Sequence, residues 1–155
     1  MISELAFFSS SPEQTFLLGV RLGTKIWPGC CVLLSGGLGS GKTVLASGIA
    51  HALGVKGPVT SPSYAIVHEY PTTPPFVHMD LYRIANEDEA LQLGIEELLD
   101  HSVCAIEWPE RARMLFPEDA VDLQFSTTDE GRNIVLRAPA AILERLGMAE
   151  RGLST

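Results

Sequence analysis

The apolar and polar positions of the chain follow two periods that alternate along its length. Short apolar or alternating runs predict strands, and stretches with apolar residues three and four positions apart predict helices. The predicted strands are 5–8, 30–35, 65–70, 76–79, 103–106, 121–127 and 132–138. The predicted helices are 12–25, 42–53, 87–99 with a break near Gly94, 109–115 and 140–146. This alternation predicts a three-layer α/β domain with a mixed, partly antiparallel sheet.

Turn residues divide the predicted elements. The stiff segment 71–75, with the letters PTTPP, separates two strand-like runs and predicts a hairpin connection. A second hairpin is indicated at 129–131, where the letters are DEG. Ser11 and Pro12 suit the start of the first helix. We expect one domain over residues 1–147 and a frayed tail over 148–155.

Composition limits the classes of function. The chain has 155 residues with 11 basic and 19 acidic side chains, a net charge of −8, and no basic tract. Proteins that grip nucleic-acid backbones normally show a basic face, so tight direct nucleic-acid binding, including DNA binding, is disfavoured, while weak or partner-assisted contact stays open. No apolar run reaches the roughly 18 residues of a membrane span, and the N-terminus lacks signal-peptide features. Cys30, Cys31 and Cys104 have neither disulfide-framework nor zinc-site spacing, which indicates buried thiols and a cytoplasmic protein.

Residues 36–43, with the letters GGLGSGKT, match the phosphate-loop pattern between a buried strand and a helix. Glycines let backbone N–H groups point at an anion, and the helix start adds unpaired N–H groups and a positive dipole. Lys42 would pair with the β- and γ-phosphates, and the Thr43 hydroxyl would ligate Mg²⁺. The chain has only three lysines, so Lys42 is not one of many. The sequence thus predicts a P-loop NTPase-like domain that binds a nucleotide.

Two acidic residues follow predicted buried strands: Asp80 after 76–79 and Glu107 after 103–106. Ligands of open α/β sheets lie at the carboxyl ends of strands. Phosphoryl transfer needs a carboxylate for the metal and a group that orients the attacking water. Both acids are therefore candidate catalytic residues, and spacing alone does not say which one meets the metal.

Other polar residues are open to plainer interpretations. Segment 60–63, with the letters TSPS, suits a switch-like loop near the γ-phosphate and suits an ordinary turn equally well. His78 is more simply a partly buried histidine than a catalyst, and the remaining histidines have no companions at metal-ligand spacing. Trp108 is more simply a core residue than one that stacks on a nucleotide base.

Four motifs together resemble the TsaE (YjeE) family, the bacterial ATPases of tRNA threonylcarbamoyladenosine (t6A) biosynthesis. They are 36–43 with Leu38 in third place, SPSY at 61–64, HMDLYR at 78–83 and EWPE at 107–110. The resemblance extends over residues 12–132. It implies ATP and Mg²⁺ binding, weak hydrolysis by the protein alone, and action on a TsaD–TsaB complex that modifies adenosine 37 of tRNA.

The resemblance also implies roles for individual residues. Asp80 and Glu107 would be catalytic, and Thr43 and Glu107 would hold Mg²⁺. The implied ATP-binding residues are Thr15, Leu38, Gly39, Ser40, Gly41, Lys42, Thr43, Val44 and Arg132. The chain departs from the family pattern at Gly37, where an acid is usual, and at 63–64, where Thr-Phe is common. Since the chain is acidic, tRNA would be held by the partners.

Three alternatives stay open from the residues. A small-molecule kinase shares the phosphate loop, although no long lid insertion is visible. A guanine-nucleotide switch lacks its Asn-Lys-x-Asp signature here. A nucleotide-dependent scaffold would bind without productive turnover.

Overall fold

A computed structural model of the chain describes residues 1–59 and 66–148. The strands are β1 (Ile2–Ser9), β2 (Cys31–Ser35), β3 (Val67–Tyr70), β4 (Phe76–Asp80), β5 (Val103–Glu107), β6 (Val121–Thr127) and β7 (Arg132–Pro139). The helices are α1 (Pro12–Gly23), α2 (Lys42–Ala52), α3 (Glu87–Gln92), α4 (Ile95–Leu99) and α5 (Ala140–Arg145). Strands and helices alternate along the chain, as the periodicity predicts.

The seven strands form one sheet in the order β1-β7-β6-β2-β5-β4-β3. Four central strands, β6, β2, β5 and β4, run parallel to one another. The pairs β3–β4, β6–β7 and β1–β7 are antiparallel. The predicted mixed, partly antiparallel sheet is confirmed, including both hairpins.

Hydrophobic side chains of helices pack on both faces of the sheet, so the domain has three layers, with the sheet in the middle. On one face, Leu22, Leu45 and Ile49 of α1 and α2 pack against the strands. On the other face, Ile95 of α4 packs with Phe116 against the opposite strand surface. Because the central strands are covered on both sides, their sequences are almost wholly apolar.

Helices α1 and α2 approach closely at two glycines. A Cβ atom on Gly19 would lie 2.1 Å from the carbonyl oxygen of Leu45, and one on Gly48 would lie 2.1 Å from that of Phe16. Only glycine permits this contact. The close packing places the first turn of α1 beside the first turn of α2, where the glycine loop (residues 36–41) ends.

Some predicted boundaries differ from the structure. The predicted helix 109–115 is instead two 3-10 turns, Pro109–Arg111 and Arg113–Leu115. Ala112 between them has a φ of −149°, outside the helical range. The break near Gly94 is confirmed, since Gly94 has a φ of +72° and separates α3 from α4.

The first strand starts earlier than the predicted run 5–8, and the core includes one residue past 147. Strand β1 begins at Ile2 because it pairs with β7 along its whole length. Met148 is buried in the core, one residue beyond the predicted domain limit of 147, and residues 149–155 lie outside the described part. Within the described residues, no helix has both the length and the apolar character needed to cross a membrane.

Candidate nucleotide site

The glycine loop adopts a backbone that needs glycine. Gly36, Gly39 and Gly41 have φ values of +146°, +71° and +105°. A Cβ atom on Gly36 would lie 2.8 Å from the carbonyl oxygen of Phe125 and 2.9 Å from the hydroxyl oxygen of Ser40. The buried Ser40 hydroxyl has no hydrogen-bond partner among the described residues. A tightly turned loop with an unpartnered buried hydroxyl fits an anion site.

Lys42 begins α2 and is held over the loop. Its ammonium nitrogen donates hydrogen bonds to the carbonyl oxygens of Gly36, at 2.6 Å, and Gly37, at 2.9 Å. The same nitrogen lies 4.4 Å from the centre of the Trp108 ring. Burial lowers the pKa of Lys42, while the nearby charges of Glu107, Asp80 and Glu110 act in the opposite direction. The lysine is therefore a partly desolvated cation at the mouth of the loop.

The next residue, Thr43, contacts Glu107 directly. The Thr43 hydroxyl donates to Glu107 Oε2 at 2.8 Å, although the residues are 64 positions apart in the chain. Glu107 ends β5, the parallel neighbour of β2, and is only 4% exposed. His78 of β4 approaches the same carboxylate oxygen, with its Nε2 at 2.6 Å. A hydroxyl and a carboxylate thus meet at the start of α2.

Asp80 ends β4 and is the register partner of Glu107 in β5. One of its carboxylate oxygens accepts a hydrogen bond from the backbone N–H of Tyr82 at 3.0 Å. Asp80 and Glu107 both line the same cleft. The two acids therefore lie together, as expected for the carboxyl ends of adjacent parallel strands.

Two distant segments complete the cleft. Thr15 of α1 is buried, with its hydroxyl oxygen 2.7 Å from that of Ser9 at the end of β1. The Arg132 guanidinium donates to the carbonyl oxygen of Gly39 at 3.2 Å, which joins β7 to the glycine loop. The resulting cleft has a volume of about 450 Å³. This size suits a small-molecule ligand.

The structure brings every predicted site residue into this one cleft. The residues that line it are Ser9, Ser10, Ser11, Pro12, Thr15, Leu38, Gly39, Ser40, Gly41, Lys42, Thr43, Val44, Asp80, Glu107, Trp108, Gly131 and Arg132. Their individual roles toward ATP and Mg²⁺ stay predictions. The switch-like segment 60–63 and the motif at 61–64 lie outside the described residues.

Sequence reasoning undervalued two residues. His78 is fully buried and bonded to Glu107, and its position two residues before Asp80 on one strand is the signal that both face the same side. Trp108 is half-buried and lines the cleft as well as packing on the core. At Gly37, the departure from the family pattern, a Cβ atom would meet nothing within 4 Å, so the backbone leaves room for a side chain there.

A family model described as threonylcarbamoyl adenosine biosynthesis protein TsaE matches residues 9–134, from the end of β1 into β7. The chain belongs to the TsaE family. The matched segment includes every predicted site residue. The resemblance inferred from the four short motifs is therefore confirmed.

Known relatives agree with the TsaE assignment. A Mycobacterium bovis protein named tRNA threonylcarbamoyladenosine biosynthesis protein TsaE is 42% identical over 108 residues, which cover 63% of this chain and 64% of that protein. The matched part of this chain thus spans slightly less than two thirds of the length of this relative. A Nostoc protein of the same name is 34% identical over 131 residues, covering 80% and 79% of the two chains.

The fold also has a counterpart among solved structures. The crystal structure of Bacillus subtilis YdiB superposes with a TM-score of 0.77 at 28% sequence identity. The superposition covers 94% of this chain and 93% of YdiB. The architecture of this TsaE family member is therefore shared over nearly the whole domain.

Proposed function

We propose that this protein binds ATP and Mg²⁺ in the cleft and hydrolyses ATP in the cytoplasm. Turnover would support t6A modification of adenosine 37 in tRNA through a TsaD–TsaB complex. The observation that carries the proposal is the hydrogen bond between Thr43 and Glu107 at the end of the glycine loop. It joins a phosphate loop to an acidic strand end, the pairing that metal-assisted phosphoryl transfer requires.

Phosphate binding is supported by the loop and the helix that follows it. Backbone N–H groups at the start of α2 and the side chain of Lys42 supply positive potential. In this arrangement Lys42 is bonded to loop carbonyls, and a bound polyphosphate would compete for its ammonium group. Arg132, which reaches Gly39 from β7, adds a second cation at the open side of the cleft. These cations suit ATP despite the acidic chain.

The donor set also fits Mg²⁺. The Thr43 hydroxyl and the Glu107 carboxylate are hard oxygen donors, and Mg²⁺ prefers such ligands together with phosphate oxygens and water. When bound, Mg²⁺ neutralises negative charge on the β- and γ-phosphates. Asp80 lies beside Glu107 in the register and would orient the attacking water. Glu107 would hold the metal, and Asp80 would position the nucleophile.

The family name supports the assignment to t6A biosynthesis. The net charge of −8 favours indirect rather than direct contact with tRNA. We therefore assign tRNA binding to the partner proteins and ATP turnover to this chain. The isolated protein should show little salt-dependent affinity for tRNA.

The test measures phosphate release from ATP with and without TsaD, TsaB and tRNA from the same organism. We expect slow hydrolysis alone and at least about tenfold stimulation by the partners. Glu107→Gln and Asp80→Asn should each reduce the stimulated rate by about 10- to 100-fold or more.

Each alternative has a distinct result in this test. Phosphate transferred to a small acceptor instead of water would indicate a kinase. A clear preference for GTP would indicate a guanine-nucleotide switch. Tight ATP binding without turnover, even with the partners present, would leave a nucleotide-dependent scaffold.

A further inference from the structure

His78 lies in the middle of β4 and is 0% exposed. Side chains on a strand alternate between faces, so His78 and Asp80 point to the same side of the sheet. The neighbouring strand β5 presents Glu107 on that side, and His78 Nε2 lies 2.6 Å from Glu107 Oε2. His78 therefore contacts, from β4, the same Glu107 carboxylate that accepts the hydrogen bond from Thr43.

The direction of this hydrogen bond follows from the chemistry of the two groups. An ionised carboxylate only accepts hydrogen bonds, so the Nε2 atom of His78 is the donor. The Thr43 hydroxyl donates to the same oxygen, Glu107 Oε2, at 2.8 Å. Two donors from different elements, β4 and α2, thus converge on one oxygen. Together they restrict the rotamer of Glu107 and turn its carboxylate toward the start of α2.

A role in core packing alone does not account for a histidine here. Its ring stacks on Phe76 with centroids 6.5 Å apart, a contact that an apolar side chain would make equally well. Its Nδ1 atom is buried and has no hydrogen-bond partner among the described residues. Burying a polar ring atom without a partner costs free energy. The benefit that offsets this cost is the Nε2 hydrogen bond to Glu107.

We propose that His78 is a positioning residue, whose Nε2–H holds Glu107 in the orientation that receives the metal at Thr43. The inference rests on the proposed function, since it assigns Glu107 to Mg²⁺. Residues that orient a metal ligand typically change metal affinity or activity by about 10- to 100-fold when they are removed. His78 should therefore act on the Mg²⁺ dependence of the site and not on the binding of ATP without metal.

The test compares variants that differ in the position of one donor. In His78→Gln the amide nitrogen is as many bonds from the backbone as Nε2, so the donor is kept. In His78→Met the chain has the same length without a donor, and in His78→Asn the donor is one bond too short. His68→Gln is the matched control, because His68 is the register partner of His78 in β3 and contacts Tyr70 instead of Glu107.

The measurements are nucleotide affinity by calorimetry with and without Mg²⁺, the Mg²⁺ dependence of hydrolysis, and the midpoint of thermal unfolding. We expect His78→Met and His78→Asn to need an Mg²⁺ concentration about tenfold higher, or more, for half-maximal hydrolysis. Metal-free ATP affinity should change by less than about threefold. His78→Gln should recover most of the loss, and His68→Gln should match the parent.

Two results would overturn the role of His78 alone. One is a parental Mg²⁺ dependence in His78→Met or His78→Asn. The other is an equal loss in all three His78 variants that follows their thermal stability, which would indicate a structural role. A parent protein without Mg²⁺-dependent nucleotide binding would instead overturn the proposed function, and this inference with it.

Discussion

The ammonium nitrogen of Lys42 lies 4.4 Å from the centre of the Trp108 ring, so the first residue of α2 and the first residue after β5 are in direct contact. The indole also packs against the Tyr82 ring, with centroids 4.8 Å apart. Trp108 has a φ of +58°, an uncommon value for a non-glycine residue. This backbone turns the indole toward the phosphate loop, and its emission should report on the position of Lys42.

Nucleotide binding should therefore change the fluorescence of Trp108. Phosphate groups would draw the Lys42 ammonium from the ring and alter the electrostatic environment of the indole. The chain has two tryptophans, and Trp27 contacts Arg145 instead of Lys42. We expect the emission change on adding ATP and Mg²⁺ to persist in Trp27→Phe and to disappear in Trp108→Phe. Unchanged emission of Trp27→Phe, with ATP bound by calorimetry, would contradict this assignment.

The hydroxyl of Thr43 should be required for Mg²⁺-dependent hydrolysis. Thr43→Val keeps the shape of the side chain but removes the donor to Glu107 and the oxygen assigned to the metal. We expect its kcat to fall by about 10- to 100-fold or more, and Thr43→Ser to retain most activity because it keeps the hydroxyl. Steady-state phosphate release at several Mg²⁺ concentrations measures both. Full Mg²⁺-dependent activity in Thr43→Val would refute the metal assignment.

Gly48→Ala should destabilise the domain. The added methyl group would collide with the carbonyl oxygen of Phe16, so α1 would have to move away from α2. Overpacking of this kind costs about 1–3 kcal/mol, and chemical denaturation measures the loss. Because α1 carries Thr15 into the cleft, ATP affinity should fall as well.

The matched control for this change is Gly37→Ala. Its methyl group would meet no atom within 4 Å, so stability should change by less than about 0.5 kcal/mol. Equal stability of the two alanine variants would show that α1 adapts to the extra volume without cost.

The three cysteines should be unreactive in the folded protein. Burial raises the pKa of Cys30 to about 12. Cys31 and Cys104 are register partners in β2 and β5, and the hydrogen bond between their thiols lowers the pKa of Cys31, whereas the same bond and burial raise the pKa of Cys104. The thiolate is the reactive form, and all three side chains are at most 6% exposed, so a thiol reagent at pH 8 should modify the native protein slowly, with access rather than pKa protecting Cys31.

The control for the cysteines is the unfolded chain. The sequence contains three cysteines, and all three thiols should react rapidly in denaturant because unfolding exposes them. Rapid modification of the native protein would mean that the strands β2 and β5 open locally. Comparing the reaction with and without ATP would show whether the ligand suppresses such opening.

Local sequence was sufficient for several features of this protein. Phosphate-loop glycines, an apolar strand before them and a helix after them are recognised from adjacent residues, because backbone conformation there depends on neighbours. The two hairpins follow from turn residues in the same way. By contrast, the predicted helix at 109–115 is interrupted at Ala112, since the left-handed Trp108 and the short 3-10 turns are set by packing against the sheet.

What only the tertiary structure decided is the convergence of distant residues. Strand order places β5 beside β2 and β4 beside β5, and this register brings Glu107 to Thr43 and His78 to Glu107. Arg132 meets Gly39 across 93 positions of sequence. Such contacts depend on which strands pair and on how helices pack, and no local pattern encodes either. The sequence determined that a phosphate loop exists, while the sheet decided which side chains complete its site.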